Sequence, residues 1–174
     1  AAALIYDPES VLTAEKAGEG NYADLQLGGK ALPELLGAPL ECRALVKLIS
    51  PGKYINRGPM DGGLTVDLKK SAVVDIHGIE VIVASNITQP YDTEIFYYHG
   101  IDPAKKDILL LKSTHHFRAA YASIAKKILK VEAPGLLSQD PSKINYKKCR
   151  RPIFPLDKVM DKGDYTVDSN EGQS

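Results

Sequence analysis

The stretch DILLLKSTHHFRAAYASIAKKILK, Asp107–Lys130, constrains the fold more than any other part of the chain. Ile108, Leu109, Leu110 and Leu111 form an apolar run too short for an ordinary helix, which predicts a buried strand. Lys112, Ser113, His115, His116 and Arg118 crowd the elbow that follows. Phe117, Ala120, Tyr121, Ile124 and Ile128 then recur at helical spacing, with Lys126, Lys127 and Lys130 mostly on another face. Where a strand feeds a helix, unpaired backbone N–H groups and the helix dipole favour an anion. The elbow is therefore a candidate binding site, with Lys112 and Arg118 supplying charge and Ser113 and His116 supplying hydrogen bonds.

The rest of the chain supplies more elements of the same kind. Asp7-Pro8 opens a helix that runs to about Ala17 and stops at Gly18, with Asp7 as its cap. Ala23–Leu27 reads as a short strand ended by Gly28-Gly29-Lys30; this glycine pair lacks the spacing of a phosphate-binding loop and reads as a turn. Leu40–Ser50 alternates as a strand should. After it comes SPGKYINRGPMDGGLTVDLKK, an irregular stretch of the sort that is usually functional or mobile, containing Asp61, Gly62 and Gly63. Ser71–Ile76 and Ile79–Ala84 flank His77-Gly78 as a hairpin. Asp92 caps a short helix, Thr93–His99, that Gly100 terminates, and His99 sits where it complements the helix dipole.

From Ile79 onward the expected order is strand, helix, strand, helix, and a third strand at Ile128–Ala133. The fold class is thus α/β: a mixed sheet with a β-hairpin and parallel βαβαβ crossovers, helices packed on the sheet. On that topology Ser85–Asp92, with Gln89 in it, and Lys112–Arg118 leave the carboxyl ends of parallel strands, the edge where open α/β sheets bind ligands. The compact domain is expected over 1–157, followed by a polar tail at 158–174.

Composition narrows the function classes. The 174 residues carry 22 basic and 22 acidic side chains, a balance that gives no support to nucleic acid or an anionic membrane as partner. No apolar run approaches the roughly 20 residues that cross a bilayer, and AAALIYDPES lacks the basic start of a signal peptide. Cys42 and Cys149 have no CxxC partner, which fits reduced thiols in a cytoplasmic protein. His115 and His116 are adjacent and the other histidines are distant, so no metal-ligand spacing emerges. Ser113 lacks a GxSxG setting and reads as a cap before it reads as a nucleophile. No catalytic residue is assigned; the elbow suits binding better than independent catalysis.

Four stretches resemble the C-terminal domain of the MlrC family, named for microcystinase C: LQLGGK, GPMDGGLTVDL, GIEVIVASNITQPYD and LLLKSTHHFRAAYASIAKKILKVEAPG. A fifth, RRPIFPLD, matches the family's ending. The resemblance runs in order over nearly the whole chain. It implies a metallopeptidase parent in which a larger N-terminal domain precedes this one and holds zinc through an Asp and His residues. The namesake hydrolyses linearised microcystin and its tetrapeptide product, and the mechanism expected of the parent is attack of a zinc-activated water on an amide.

No zinc-ligand motif of that family matches here, so the resemblance carries no metal ligand into this chain and no cofactor is expected in it. The family-like positions are Gly28, Gly29, Asp61, Gly62, Gly63, Gln89, Asp92, Lys112, Ser113, His116, Phe117 and Arg118. The expected role is one wall of the substrate cleft: Lys112 and Arg118 on a substrate carboxylate, His116 as hydrogen-bond donor, and Gly58–Thr65 reaching toward the N-terminal domain. The partners implied are that N-terminal domain, a small peptide substrate and a homodimer mate. Two other readings stay open: a docking or dimerisation domain, and an independent small-molecule-binding or hydrolytic domain using Ser113 and His116.

Overall fold

A computed structural model of the chain describes residues 1–133, 140–154 and 156–157. In order, the main elements are β1 (Ala2–Tyr6), α1 (Pro8–Ala17), β2 (Tyr22–Leu27), α2 (Pro33–Leu36), β3 (Leu40–Ser50) and β4 (Lys53–Ile55). They continue with β5 (Thr65–Asp67), β6 (Ser71–Ile76), β7 (Ile79–Ala84), α3 (Glu94–Tyr98), β8 (Leu110–Leu111) and α4 (Arg118–Tyr121). Six strands form one mixed sheet in the order β2-β3-β6-β7-β1-β8, and β4 pairs with β5 in a separate two-stranded sheet. The expected α/β class with a mixed sheet and a hairpin is the fold observed.

The first half of the large sheet is antiparallel, from β2 through β3 and β6 to β7. Its turn at β6–β7 has both His77 (φ 52°) and Gly78 (φ 86°) in the left-handed region, as a two-residue hairpin requires. Asp75 steadies the turn by accepting the Gly78 amide at 2.7 Å. The second half is parallel: β1 pairs with β7 on one side and β8 on the other. The chain therefore leaves β7, forms α3, and returns to the sheet one strand further on, with β1 lying between.

Strands β6 and β7 are buried on both faces, which explains their near-continuous apolar sequences. Val73 and Ile82 face one cluster, with Leu4, Tyr54, Leu68, Ile95, Phe96, Phe117 and Tyr121. Their neighbours Ala72, Val74, Val81 and Val83 point to the other, with Val11 and Ala14 of α1 and alternate residues of β2 and β3. Helix α1 thus covers one face, while α3, α4 and the β4–β5 pair cover the other. Phe96 meets Tyr121 edge to face, ring centroids 6.2 Å apart, so the last short helix is pinned to α3.

Four expectations change. β1 lies in a segment read only for what it lacked as a leader, and it is the strand around which the parallel half is built. β4 and β5 form inside the stretch expected to be irregular. The strand expected at Ile128–Ala133 does not form, and α4 ends at Tyr121, well short of the periodic apolar pattern. The buried strand expected at Ile108–Leu111 is the two-residue edge strand β8, with Ile108 and Leu110 76% and 62% exposed where, among the described strands, only β1 flanks it.

By contact the chain divides at Val131 into two compact units. The second unit holds a short turn at Pro141–Lys143, capped by the Asp140 carboxylate on the Ser142 amide. It also holds an ion pair between Arg151 and Asp157. The expected tail at 158–174 lies outside the described residues.

Candidate functional site

Because β1, β7 and β8 run parallel, three loops emerge at one edge of the sheet: Asp7 onward, Ser85–Asp92 and Lys112–Arg118. The two expected elbows do share an edge, with the β1 loop as a third member. Backbone bonds fix their roots: the Asp7 amide donates to Ala84 O at 3.0 Å and the Lys112 amide to Ala3 O at 2.9 Å.

At the first loop Asp7 is 3% exposed and saturated. Oδ1 caps α1 through the Ser10 amide at 3.0 Å; Oδ2 accepts the Ser10 hydroxyl at 2.7 Å and the Gly28 amide at 2.9 Å. The Lys30 ammonium lies 2.8 and 2.9 Å from the two oxygens. Burial pushes this carboxyl up, but Lys30, Ser10 and Gly28 outweigh it and hold it below the usual carboxylate range. Gly28 and Lys30 are thus committed to Asp7. The glycine pair is a turn, as its spacing implied, and this cluster clamps the loop after β2 onto the start of α1.

The second and third loops meet through side chains. Gln89 Nε2 donates to Ser113 Oγ at 2.7 Å, and Gln89 Oε1 lies 3.1 Å from His116 Nδ1. Gln89 and Ser113 are half-buried while His116 is exposed. Lys112 is exposed and Arg118 half-buried with its guanidinium 5.5 Å above the Phe117 ring. Neither cation has an ion-pair partner among the described residues.

On the other side of Gln89 the same loop grips the β4–β5 connection. The Tyr91 hydroxyl donates to Asp61 Oδ2 at 2.6 Å and receives Asn56 Nδ2 at 3.4 Å. Asp61 beside it pushes the Tyr91 phenol up, so Tyr91 stays a protonated donor. Asp92, 4% exposed, accepts the Gly58 amide at 2.7 Å and the Glu94 amide at 2.9 Å. Tyr121, from α4, donates to the Asp92 carbonyl at 3.0 Å. Gly63 donates its amide to Asn56 O at 2.8 Å, and Gly62 packs against Gly58, which shapes the tight return to β5. Asn56 is 2% exposed, and its Oδ1 has no hydrogen-bond partner among the described residues.

The structure therefore joins Asp61, Gln89, Asp92, Ser113 and His116 into one connected edge, with Lys112 and Arg118 beside it. Asn56 and Tyr91, which do the joining, escaped the sequence reading; an Asn just after a short strand and a Tyr after a Pro carry no signal by themselves. His116 Nδ1 is the ring nitrogen that meets Gln89 Oε1, an atom that can only accept. His99 does satisfy a carbonyl at the end of α3, but as a buried neutral ring: Nδ1 donates to Ile95 O at 2.6 Å and Nε2 accepts Ser71 Oγ at 2.9 Å.

Nothing in this edge has the donor set of a metal centre. Among the described residues no three His, Cys, Asp or Glu side chains are grouped to hold an ion. None of the described helices is long and apolar enough to cross a membrane.

The family model described as "MlrC C-terminus" matches residues 1–148. The chain belongs to that family. RRPIFPLD, the fifth stretch of the resemblance, lies beyond the match. This MlrC C-terminal domain is 27% identical over 155 residues to microcystinase C of a Sphingomonas species, covering 89% of this chain and 29% of that protein. It is also similar to a crystal structure from Mesorhizobium sp. BNC1 of a protein provisionally named a metallopeptidase. There the TM-score is 0.77 at 29% identity, over 91% of this chain and 31% of the other. The chain thus spans less than a third of the length of either relative.

Proposed function

We propose that this domain forms one wall of the substrate cleft of a zinc-dependent hydrolase of peptide or amide bonds, the metal being held by the part of the parent polypeptide outside this chain. The relatives' names support the reaction class, and the connected edge supports the assignment of a wall. The observation that carries the reading is the Gln89–Ser113–His116 junction beside two cations that have no counter-charge among the described residues. Its half-buried Gln89 and Ser113 hold each other at 2.7 Å, and His116 beside them is exposed. Lys112 and Arg118 are assigned to the terminal carboxylate of a linear peptide, of microcystin type by analogy with the relative.

In the longer polypeptide, Lys112→Ala and Arg118→Ala should each raise KM for a linear peptide about tenfold. The loss should disappear for the same peptide with an amidated C-terminus. Unchanged KM in both variants would remove the carboxylate assignment.

Docking against the rest of the parent has support of its own. Ile55, Met60 and Leu64, at and beside the β4–β5 turn, are 54%, 45% and 59% exposed, and Tyr91 and Asp92 hold that loop in shape. Large apolar side chains on a braced loop favour contact with another surface. Met60→Lys and Leu64→Lys together should weaken association of separately produced portions of the parent; undiminished association counts against this second role.

A further inference from the structure

We propose that Gln89, Ser113 and His116 read a backbone amide of the peptide ligand, with Gln89 as the positioning residue that sets which atom donates and which accepts. The inference rests on the cleft-wall reading and names what that wall recognises. Gln89 projects from the loop after β7, whereas Ser113 and His116 project from the loop after β8, so the junction ties two loops at the ligand edge of the sheet.

The chemistry follows from counting protons. Gln89 Oε1 can only accept, so the hydrogen in its 3.1 Å contact with His116 must reside on Nδ1. A neutral imidazole carries one such proton, which leaves Nε2 with a bare lone pair. Ser113 Oγ receives the Gln89 Nε2 hydrogen at 2.7 Å, so its own hydroxyl hydrogen is free to turn outward. The junction therefore presents one acceptor, His116 Nε2, and one donor, the Ser113 hydroxyl. These are the complements of an amide N–H and an amide C=O. A neutral His116 offers nothing to a carboxylate, which leaves that group to Lys112 and Arg118 and gives the edge two separate recognition tasks.

The test has two arms. In this chain labelled with ¹⁵N-histidine, at a pH where His116 is neutral, long-range proton–nitrogen correlation should show Nδ1 protonated and Nε2 bare. Gln89→Glu, whose carboxylate also accepts from Nδ1, should keep that tautomer, and Gln89→Leu should lose it. A protonated Nε2 in the unsubstituted chain would mean the Gln89 amide is turned round, and would overturn the proposal.

In the longer polypeptide, a linear peptide is compared with analogues in which each backbone N–H in turn is replaced by an ester oxygen. One position should lower kcat/KM about tenfold, and the same replacement should cost nothing further in His116→Ala. A series with no sensitive position, or equal sensitivity in His116→Ala, would overturn the amide assignment. Absence of any peptide cleavage would instead bring down the cleft-wall reading, and the ligand assignment with it. The tautomer in this chain reports on Gln89 in either case.

Discussion

The Asp92 carboxylate accepts the Gly58 amide at 2.7 Å, an approach so close that a Cβ on residue 58 would stand 2.8 Å from Asp92 Oδ2. Asp92 is buried and also holds the Glu94 amide, so it has little room to withdraw. Gly58→Ala should destabilise the domain by about 1–3 kcal/mol through crowding. Amide hydrogen exchange should quicken across the β4–β5 connection. Exchange unchanged there would show that the loop is not held through Asp92.

Tyr91 makes the parallel link, from its hydroxyl to Asp61 and Asn56. Tyr91→Phe keeps the ring and removes both bonds, leaving the Asn56 amide without the one side-chain partner it has among the described residues. The expected cost is about 1–3 kcal/mol, read as a lower urea midpoint with an unchanged slope. If Tyr91→Phe matches the unsubstituted chain, the pair is incidental.

How much of this was legible beforehand depends on punctuation. Asp7-Pro8 and Gly18 delimit α1 in the sequence because cap, first-turn proline and terminating glycine are local chemistry. His77-Gly78 marks its hairpin for the same reason. β1 was illegible because AALIY is apolar throughout, with no alternation to mark a strand and too few residues to decide between strand and helix. The Phe117–Ile128 pattern overstated its helix. Phe117 and Tyr121 do reach the core and Ile128 packs at its margin, but Ile124 is 37% exposed and the helix ends at Tyr121. At the site, Gln89, Ser113 and His116 were legible as polar residues on two elbows. Their pairing was not, since it depends on β1 spacing β7 from β8.

Asp7 and Lys30 give a stability prediction with a definite sign. The folded carboxyl is held below its ordinary value of 3.8, with burial opposing and Lys30, Ser10 and Gly28 prevailing. Its contribution is therefore complete above that value and is lost as pH falls toward the lower folded one. Lys30→Met should remove about 2 kcal/mol near neutrality by leaving a buried carboxylate short of its cation. Part of that loss should vanish in acid, where the carboxyl is protonated in both variants. A pH-independent difference between the variants would contradict the pairing.

His99 acts at higher pH. Burial lowers its folded pKa below the ordinary 6.5, against the opposing effect of the Ile95 carbonyl. The unfolded chain then takes up a proton first, so this contribution is complete above about pH 6.5 and declines as pH falls toward the folded value. Urea titrations from pH 8 to pH 5 should show the decline, and His99→Gln should remove that share of the slope. An equal slope in both would show that His99 is not the group titrating.

The cleft-wall account is tested most directly by measuring zinc content and peptidase turnover of this chain alone and of the longer polypeptide that includes it. The account predicts a metal-free, inactive chain and a zinc-bound, active whole whose KM responds to Lys112 and Arg118. Stoichiometric zinc and turnover in this chain alone would contradict it, and would move the chemistry to the loop that carries His115 and His116.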